Sequence, residues 1–423
     1  MIGRVRSLIE SPAFSVRHRF TEQQFTRERI LSAPTLILFL LNLVQGALQG
    51  ELDRFFEIVH GATLMSRVVS KTAFCLARRK LHFGAFVEIN RVLVEAFYAE
   101  QPVRRWRGWR LLAIDGSTVQ VPCTAEVLAW FGVVDPAATT PCAIGRVSTL
   151  YDVLNRVIVE AHLAPYRIGE HELAVEHLGR VRPDDLVLFD RGYPAFWLLA
   201  LLSTRGLHYC MRATLTYCPA VAQFIRSGQT EALITLCPGA EARRECRRKG
   251  IAVDPLPVRV VRVELSTGEV EVLLTSLHNA VAYPHAVFAE LYHQRWGIEE
   301  GYKAFKCRAA VENFTGKSVL AVMQDFHAKV VTTNLTALLA HQAQESLPTA
   351  PRRHSVRVNF SHALTRMKDT IVRLFTVPDP RPLLQALLDL LRRTVEPVRQ
   401  LRSFPRTFRI TLRRFHPTYK RCG

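Results

Sequence analysis

Residues 111–118 read Leu-Leu-Ala-Ile-Asp-Gly-Ser-Thr, and residues 186–193 read Leu-Val-Leu-Phe-Asp-Arg-Gly-Tyr. In each stretch four apolar residues, typical of a buried β-strand, run directly into an aspartate, Asp115 or Asp190. Side chains at the carboxyl ends of parallel strands lie where α/β folds place their chemistry. The two stretches therefore predict an α/β core with a carboxylate site. An aspartate that ends a strand is also a common turn former or helix cap, and this alternative stays open.

Strands and helices alternate around these two stretches. Strand-like runs occupy 147–154, 157–163 and 207–212, and helical stretches occupy 170–180 and 195–203. This alternation predicts a layered α/β sheet. Further β-type runs follow, and they are expected at 257–264 and 270–277.

The charge balance of the chain favours a polyanionic partner. Among 423 residues, 56 Lys and Arg stand against 37 Asp and Glu, a net charge of +19. Nucleic acid is a better partner than a membrane surface, because no basic amphipathic anchor is evident. A basic enzyme with an ordinary substrate is the alternative. The basic residues cluster at Arg78, Arg79 and Lys80, at 104–110, and in the last 32 residues, which hold ten Arg and Lys.

The Arg78–Lys80 cluster ends a short predicted helix that begins after Ser70. Such a helix could present its basic end to DNA phosphates, or it could simply be a solvated surface helix. The basic C-terminal tail has the same two interpretations, a polyanion-binding arm or a flexible end.

Other features exclude several classes of protein. The most apolar early run, 36–41, is far shorter than the roughly 20 residues that span a bilayer. The N-terminus lacks the apolar core of a secretory signal, so a cytoplasmic location is expected. Nine cysteines without a Cys-x-x-Cys pair predict neither a disulfide framework nor a standard zinc site. A metal site around Glu160 and His162, with Glu170, His171 and Glu172 nearby, is not expected, because no residue supplies a third clustered ligand.

One long helix is predicted from Pro284 towards Phe305. At about 100° per residue, five of its side chains project from one face within roughly 80° of one another. They are Tyr292, Arg295, Glu299, Lys303 and Lys306. One acid among cations suits a metal-binding carboxylate flanked by phosphate ligands, whereas the alternative is an ordinary ion pair between Arg295 and Glu299.

Asp115, Asp190 and Glu299 together are the acids that a two-metal phosphoryl-transfer site requires. Carboxylate oxygens are hard ligands for Mg²⁺ or Mn²⁺, and two such ions assist an in-line displacement at phosphorus. Without cations the three carboxylates would repel one another, which raises their pKa values. The sequence therefore predicts a metal-dependent site.

The spacing Tyr292-x2-Arg295-x3-Glu299-x6-Lys306 resembles the signature of the insertion sequence four family of bacterial DDE transposases. The words at 114–118, 190–193 and 295–303 look like the three acidic motifs of that family, in the same order. The resemblance implies a ribonuclease-H-like catalytic core that a β-rich insertion interrupts, with helical N-terminal and C-terminal regions.

The resemblance also implies roles and partners. Asp115, Asp190 and Glu299 would hold two Mg²⁺ ions, for which Mn²⁺ would substitute. The residues implied to bind DNA are Tyr292, Arg295, Lys303 and Lys306, which would grip phosphates at the transposon end. Arg212 is either a further DNA contact or a surface arginine at the end of a strand. The partners would be double-stranded DNA, as terminal inverted repeats and as target, in a complex with a protein homodimer that associates with the nucleoid when it is bound to DNA.

Five regions follow from this interpretation. They are a helical DNA-binding domain (1–103), the first part of the core (104–212), the β-rich insertion (213–280), the core helix with the third acid (281–317) and a helical C-terminal region with the basic tail (318–423). Two other functions stay open: an inactive, transposase-derived DNA-binding regulator, and a metal-dependent endonuclease that does not join DNA.

Overall fold

The computed structural model describes residues 1–133, 142–265, 268–347 and 355–398. The fold is mixed α/β, as the sequence predicts, and eight strands form one sheet. In chain order these strands are β1 (Arg110–Gln120), β2 (Ile144–Asp152), β3 (Val157–Pro165), β4 (Asp185–Phe189), β5 (His208–Ala213), β6 (Glu231–Leu236), β7 (Leu256–Glu264) and β8 (Val270–Thr275).

The strands lie in the order β3-β2-β1-β4-β5-β8-β7-β6. Strands β1, β2 and β3 are antiparallel, whereas β4 is parallel to β1 and β5 is parallel to β4. Strand β8 pairs with β5, so the strands of region 213–280 continue the central sheet instead of forming a sheet of their own. That region also contains two helices that the sequence does not predict.

Sixteen α-helices lie in the described parts of the chain. Those before the sheet are α1 (Ile2–Glu10), α2 (Pro12–Arg17), α3 (Ala33–Leu41), α4 (Leu48–His60), α5 (Lys71–Arg78) and α6 (Gly84–Glu100). Those between the strands are α7 (Ala125–Phe131), α8 (Glu170–His177), α9 (Phe196–Thr204), α10 (Pro219–Arg226) and α11 (Ala240–Arg248). Those after the sheet are α12 (Val287–His293), α13 (Trp296–Lys303), α14 (Val319–Glu345), α15 (Phe360–Thr376) and α16 (Arg381–Arg393).

A buried ion pair sets the register of the two central parallel strands. Arg110 and Asp185 stand opposite each other at the start of β1 and β4, and Arg110 Nε donates to Asp185 Oδ1 at 2.6 Å. Both side chains are buried, so either charge without the other would be strongly destabilising. The same register pairs Ile114 with Phe189. The residue that follows each of them is a predicted catalytic aspartate, Asp115 or Asp190.

The N-terminal and C-terminal helices share one hydrophobic core. Helices α1, α3, α4, α5 and α6 contribute side chains to a cluster that also contains residues of α14, α15 and α16. Helix α14 runs through the middle, buried on nearly all sides. The N-terminal helices therefore pack as part of a larger helical body beside the sheet.

No helix in the described ranges is long and apolar enough to cross a membrane. Two short strands, β9 (Val356–Val358) and β10 (Val395–Pro397), form a separate antiparallel pair near the C-terminus. The predicted basic tail lies outside the described residues from residue 399 onward.

Candidate active site

Asp115 and Asp190 lie level with each other on the neighbouring strands β1 and β4. Asp190 follows the last residue of β4, as expected, and its Oδ1 accepts a hydrogen bond of 2.8 Å from Gly192 N. Asp115 Oδ1 accepts one of 2.8 Å from Gly116 N. Strand β1 does not end at Asp115 but continues to Gln120, paired there with β2 alone. The aspartate therefore stands where the parallel pairing stops, which opens space beside it.

Glu299 lies on α13. Tyrosines on α12 and α13 form hydrogen bonds to the main chain next to both aspartates. Tyr302 Oη donates to the carbonyl oxygen of Asp115 at 2.7 Å. Tyr292 Oη, on α12, donates to the carbonyl oxygen of Phe189 at 3.2 Å. The main chain next to each aspartate is thus fixed to the segment that carries the third acid.

Two glycines let α13 approach the sheet closely. A Cβ atom at Gly301 would lie 3.0 Å from Tyr151 Cζ, and one at Gly297 would lie 3.4 Å from Val153 Cβ. Both glycines face β2 or the residue that follows it, four positions apart on one side of the helix. They therefore set the distance between Glu299 and the two aspartates.

The segment carrying Glu299 is not the single long helix that the sequence predicts. Helix α12 ends at His293, and a tight turn with i→i−3 hydrogen bonds leads into α13. After Lys303 the chain forms a π-helical turn, Ala304–Arg308. Of the five predicted side chains, Lys303 is the one that lies apart, in an exposed ion pair with Glu300.

The cations of this segment consequently have different surroundings. Arg295 Nη2 donates to Glu299 Oε1 at 3.2 Å, so the ion pair considered as an alternative is present within the site. Lys303 turns away and pairs with Glu300 at 2.6 Å in an exposed position. Lys306 Nζ donates to the carbonyl oxygen of Thr118 at 2.7 Å.

The acids influence one another electrostatically. Burial raises the pKa of Asp115 to about 6, the negative charges of Asp190 and Glu299 raise it as well, and Arg295 partly opposes the shift. Negative charges that interact in this way are unfavourable unless a cation neutralises them. The geometry thus brings Asp115, Asp190, Glu299 and Arg295 together.

Two buried polar atoms beside the acids have no hydrogen-bond partner among the described residues. They are Tyr193 Oη and Arg295 Nε. Burial, and then the charges of Asp115 and other acids, raises the pKa of Tyr193 well above its usual value. A buried donor without a partner costs about 1–3 kcal/mol. Thr333 Oγ1 and Arg392 Nε are further buried donors of this kind, away from the acids.

The donor set suits hard divalent cations. Three half-buried carboxylates, Asp115, Asp190 and Glu299, offer the oxygen ligands that Mg²⁺ and Mn²⁺ prefer. The nearby unpartnered donors, Tyr193 Oη and Arg295 Nε, suit phosphate oxygens. The residues present therefore fit a site that holds cations together with a phosphodiester.

The structure corrects the expected position of two predicted DNA ligands. Arg78 is buried, and its guanidinium donates to Gln324 Oε1 at 2.8 Å and to Asp325 Oδ1 at 2.9 Å. Tyr292 is buried as well, with its hydroxyl bonded to a strand carbonyl as described above. The polar atoms of both side chains are thus already bonded to partners within the protein. Arg78 instead attaches α5 to α14.

Three other predicted DNA ligands are more accessible. Arg79 is exposed and Lys80 is half-buried, at the end of α5. Arg212 is partly exposed on β5 and pairs with Glu271 at 2.8 Å. None of these three lies on the segment that carries Glu299.

Sequence reasoning assigned no role to three residues next to the acids. Tyr193 and Tyr302 belong to motifs that were recognised, but nothing in their spacing shows where their hydroxyls point. Glu170, at the start of α8, lies against Gly116, where a Cβ atom would be 2.8 Å from its carboxyl carbon. Glu170 also pairs with Arg146 at 2.6 Å. The only sequence signal was the glycine after Asp115, which leaves room for that carboxylate.

Comparison with known proteins identifies relatives. The family described as transposase DDE domain matches residues 106–335. The transposase InsG for insertion sequence element IS4 of Escherichia coli (strain K12) is 27% identical over 243 residues, which cover 56% of this chain and 53% of that protein. The putative transposase InsZ of the same organism is 28% identical over 142 residues, which cover 33% of this chain and 48% of that protein.

The chain thus spans about half the length of the curated relatives it matches. Among solved structures, a piggyBac transposase synaptic complex with hairpin DNA aligns over 92% of this chain and 85% of that chain. Its TM-score is 0.45, at 11% sequence identity.

Proposed function

The chain belongs to the transposase DDE domain family, and we propose that it is a DNA transposase that cuts the ends of an insertion sequence and joins them to target DNA. The resemblance to the insertion sequence four family, predicted from the acidic motifs, agrees with the similarity to the IS4 transposase. The proposal concerns the whole activity, including its substrates and its partners.

The observation that carries the proposal is the convergence of three acids from separate elements. Asp115 and Asp190 are level on two parallel strands, and Glu299 influences the pKa of Asp115 from α13. Carboxylates that repel one another destabilise the folded protein unless a cation neutralises them. Their arrangement suits phosphoryl transfer better than a purely structural role.

Asp115, Asp190 and Glu299 would hold two Mg²⁺ ions, or Mn²⁺ in their place. When bound, such ions lower the pKa of water or of a 3′-hydroxyl and neutralise charge on the leaving oxygen. The protein's own part is positioning. Tyr302 and Tyr292 fix the main chain beside the two aspartates, and the Arg295 side chain orients Glu299.

Arg295 and Tyr193 would contact the scissile phosphate. The guanidinium of Arg295 already uses Nη2 for Glu299, which leaves its unpartnered Nε for a phosphate oxygen. The hydroxyl of Tyr193 has no partner in the described residues and lies within the electrostatic reach of Asp115. Each donor would gain a partner from a phosphate oxygen of bound DNA, which favours binding of a correctly placed phosphodiester.

We further propose that the core is ribonuclease-H-like. Three antiparallel strands, β1 to β3, followed by the parallel strands β4 and β5 support this assignment, and β6 to β8 would be the inserted part. Arg79, Lys80 and Arg212 are the remaining candidates for phosphate contacts away from the acids. A homodimer on paired DNA ends is part of the proposal, because both ends of an element must be cut together.

The test is cleavage and strand transfer by single-site variants. Purified protein is mixed with Mg²⁺ or Mn²⁺, DNA carrying the ends of its element, and a target plasmid. Asp115→Ala, Asp190→Ala and Glu299→Ala should each lower end cleavage by more than about 100-fold, because losing a ligand costs more than losing an outer partner of a ligand. End binding should persist in gel-shift assays.

Glu300→Ala is the matched control, because this neighbour of Glu299 pairs with the exposed Lys303. It should cleave at nearly the wild-type rate. Full cleavage by any of the three alanine variants would remove that residue from the proposed ligands. Cleavage without joined product would favour the endonuclease, and binding without cleavage by the wild-type protein would favour the regulator.

A further inference from the structure

A second cluster of metal-ligating side chains lies on the opposite side of β2 from β1. Glu160 and His162 stand two residues apart on one face of β3, and His177 occupies the last turn of α8. One ligand atom from each lies within 4.8 Å of the others. No third ligand for Glu160 and His162 is predicted from the sequence, and the structure corrects this expectation: α8 brings His177 to them.

The distances in this cluster are close to those of a metal site. Glu160 Oε2 lies 3.2 Å from His162 Nε2 and 2.9 Å from His177 Nδ1. In a tetrahedral zinc site with bonds of about 2.0–2.2 Å, neighbouring ligand atoms are about 3.3 Å apart. Both distances from the carboxylate oxygen are close to this value, and the two imidazole nitrogens lie within 4.8 Å of each other.

Further polar groups surround the three ligands. His177 Nε2 lies within hydrogen-bond distance of Ser148 Oγ, at 3.1 Å, whereas His162 Nδ1 lies 3.7 Å from Glu176 Oε2, which is too long for a hydrogen bond. Arg180 Nε donates to the other carboxylate oxygen of Glu160 at 3.1 Å. Metal-bound histidines usually carry such a partner on the second ring nitrogen, because it fixes the tautomer and the ring orientation.

We propose that Glu160, His162 and His177 form a site for one Zn²⁺ ion, separate from the three-carboxylate site. Two imidazoles and one carboxylate are a zinc donor set, whereas the all-oxygen site at Asp115 suits Mg²⁺. The ion would join β3 to the carboxyl end of α8. The other end of α8 carries Glu170 next to Gly116, so the zinc site would hold this helix in place beside the active site.

The test measures Zn²⁺ binding by the full chain in which Asp115→Asn and Asp190→Asn have removed the catalytic ligands. Isothermal titration should give one Zn²⁺ per chain, and bound zinc should raise the unfolding midpoint, since a ligand of the native state stabilises it. Co²⁺ in place of Zn²⁺ should show the visible absorption of a tetrahedral nitrogen and oxygen site. Adding His162→Ala should abolish the binding and the absorption.

His60→Ala, an exposed histidine on α4, is the matched control and should leave zinc binding unchanged. Ser148→Ala should weaken Zn²⁺ affinity by about 10-fold, because it removes only the outer partner of His177. If His162→Ala does not fold, Glu160→Gln replaces it. The proposal is overturned if the double variant binds no Zn²⁺, or if His162→Ala binds it as tightly as the control. Neither result depends on DNA cleavage, so the proposed transposase activity stands or fails on its own assay.

Discussion

Tyr302 and Tyr193 lie beside the same aspartate, Asp115, but their hydroxyls have different surroundings. Tyr302 Oη bonds the carbonyl oxygen of Asp115, whereas Tyr193 Oη has no partner among the described residues. A buried hydrogen bond contributes about 1 kcal/mol net, while a buried unpaired hydroxyl is a cost to the folded protein. The first hydroxyl stabilises the site in the absence of DNA, whereas the second is the one that we propose contacts a phosphate.

Replacing each tyrosine by phenylalanine should therefore affect a different property, stability for Tyr302 and end cleavage for Tyr193. Tyr302→Phe should lower the free energy of unfolding by about 1–2 kcal/mol, because the hydrogen bond to the strand is lost. Tyr193→Phe should leave that free energy unchanged or slightly raised, and it should slow end cleavage by about 10-fold through loss of a phosphate contact. Urea unfolding and single-turnover cleavage would measure these effects. Equal destabilisation by both variants would show that the Tyr193 hydroxyl has a structural partner.

For single residues, the sequence predicts the three acids, Asp115, Asp190 and Glu299, but not the side chains that lie next to them. Apolar runs ending in Asp115 and Asp190 are visible without a structure, because burial and strand formation impose a local pattern. The burial of Arg78 is not visible, because it depends on α14, which lies more than 240 residues away in the chain. His177 was missed for the same reason: its partners lie on another element.

Among the elements, the segment that carries Glu299 departs furthest from its expected form. A uniform helical period predicts one face for all five side chains, but a tight turn and a π-helical turn change the period twice. Hydrogen-bond shifts of this kind arise from packing, which a sequence period does not record. The strands of the central sheet and the helices between them are predicted more closely, since continuous apolar runs such as 111–114 and 186–189 directly reflect strands that are buried on both faces.

Glycine substitutions would test whether α13 is positioned by close packing. Gly301→Ala should slow end cleavage by about 10-fold or more, because the new methyl group would press on Tyr151 and move Glu299. Gly50→Ala, on α4, is the matched control, since a Cβ atom there meets nothing within 4 Å. That change should stabilise the protein by about 0.5–1 kcal/mol through helix propensity and leave cleavage unaffected. A Gly301→Ala protein with wild-type cleavage would show that α13 accommodates the methyl group without moving Glu299.

For the whole molecule, the sequence indicated the fold class and the order of the regions but not their packing. It predicted helices at both ends, yet the shared core of those helices depends on contacts between residues hundreds of positions apart. It predicted a β-rich region at 213–280, yet the pairing of β8 with β5, which makes that region part of the central sheet, has no local signal. Strand pairing between distant segments is set by the assembled sheet.

The adjacent residues Arg78 and Arg79 have different surroundings, because α5 packs against α14. Arg78 is buried and paired with the buried Asp325, and its Nη1 also donates to Thr315 Oγ1 at 2.7 Å. Removing one partner of such a pair leaves an uncompensated charge in the interior, which costs about 3–5 kcal/mol. Arg79, the next residue, is exposed and has no such constraint.

Arg78→Ala should consequently lower the free energy of unfolding by about 3–5 kcal/mol. Arg79→Ala should change it by less than about 0.5 kcal/mol. If Arg79 contacts a phosphate, its loss should weaken binding to all DNA sequences and make the affinity less dependent on salt concentration. Urea unfolding and gel-shift titrations at several salt concentrations would measure both properties. An Arg78→Ala protein that is as stable as wild type but binds DNA weakly would mean that this arginine faces DNA, and that α5 does not pack against α14 as described.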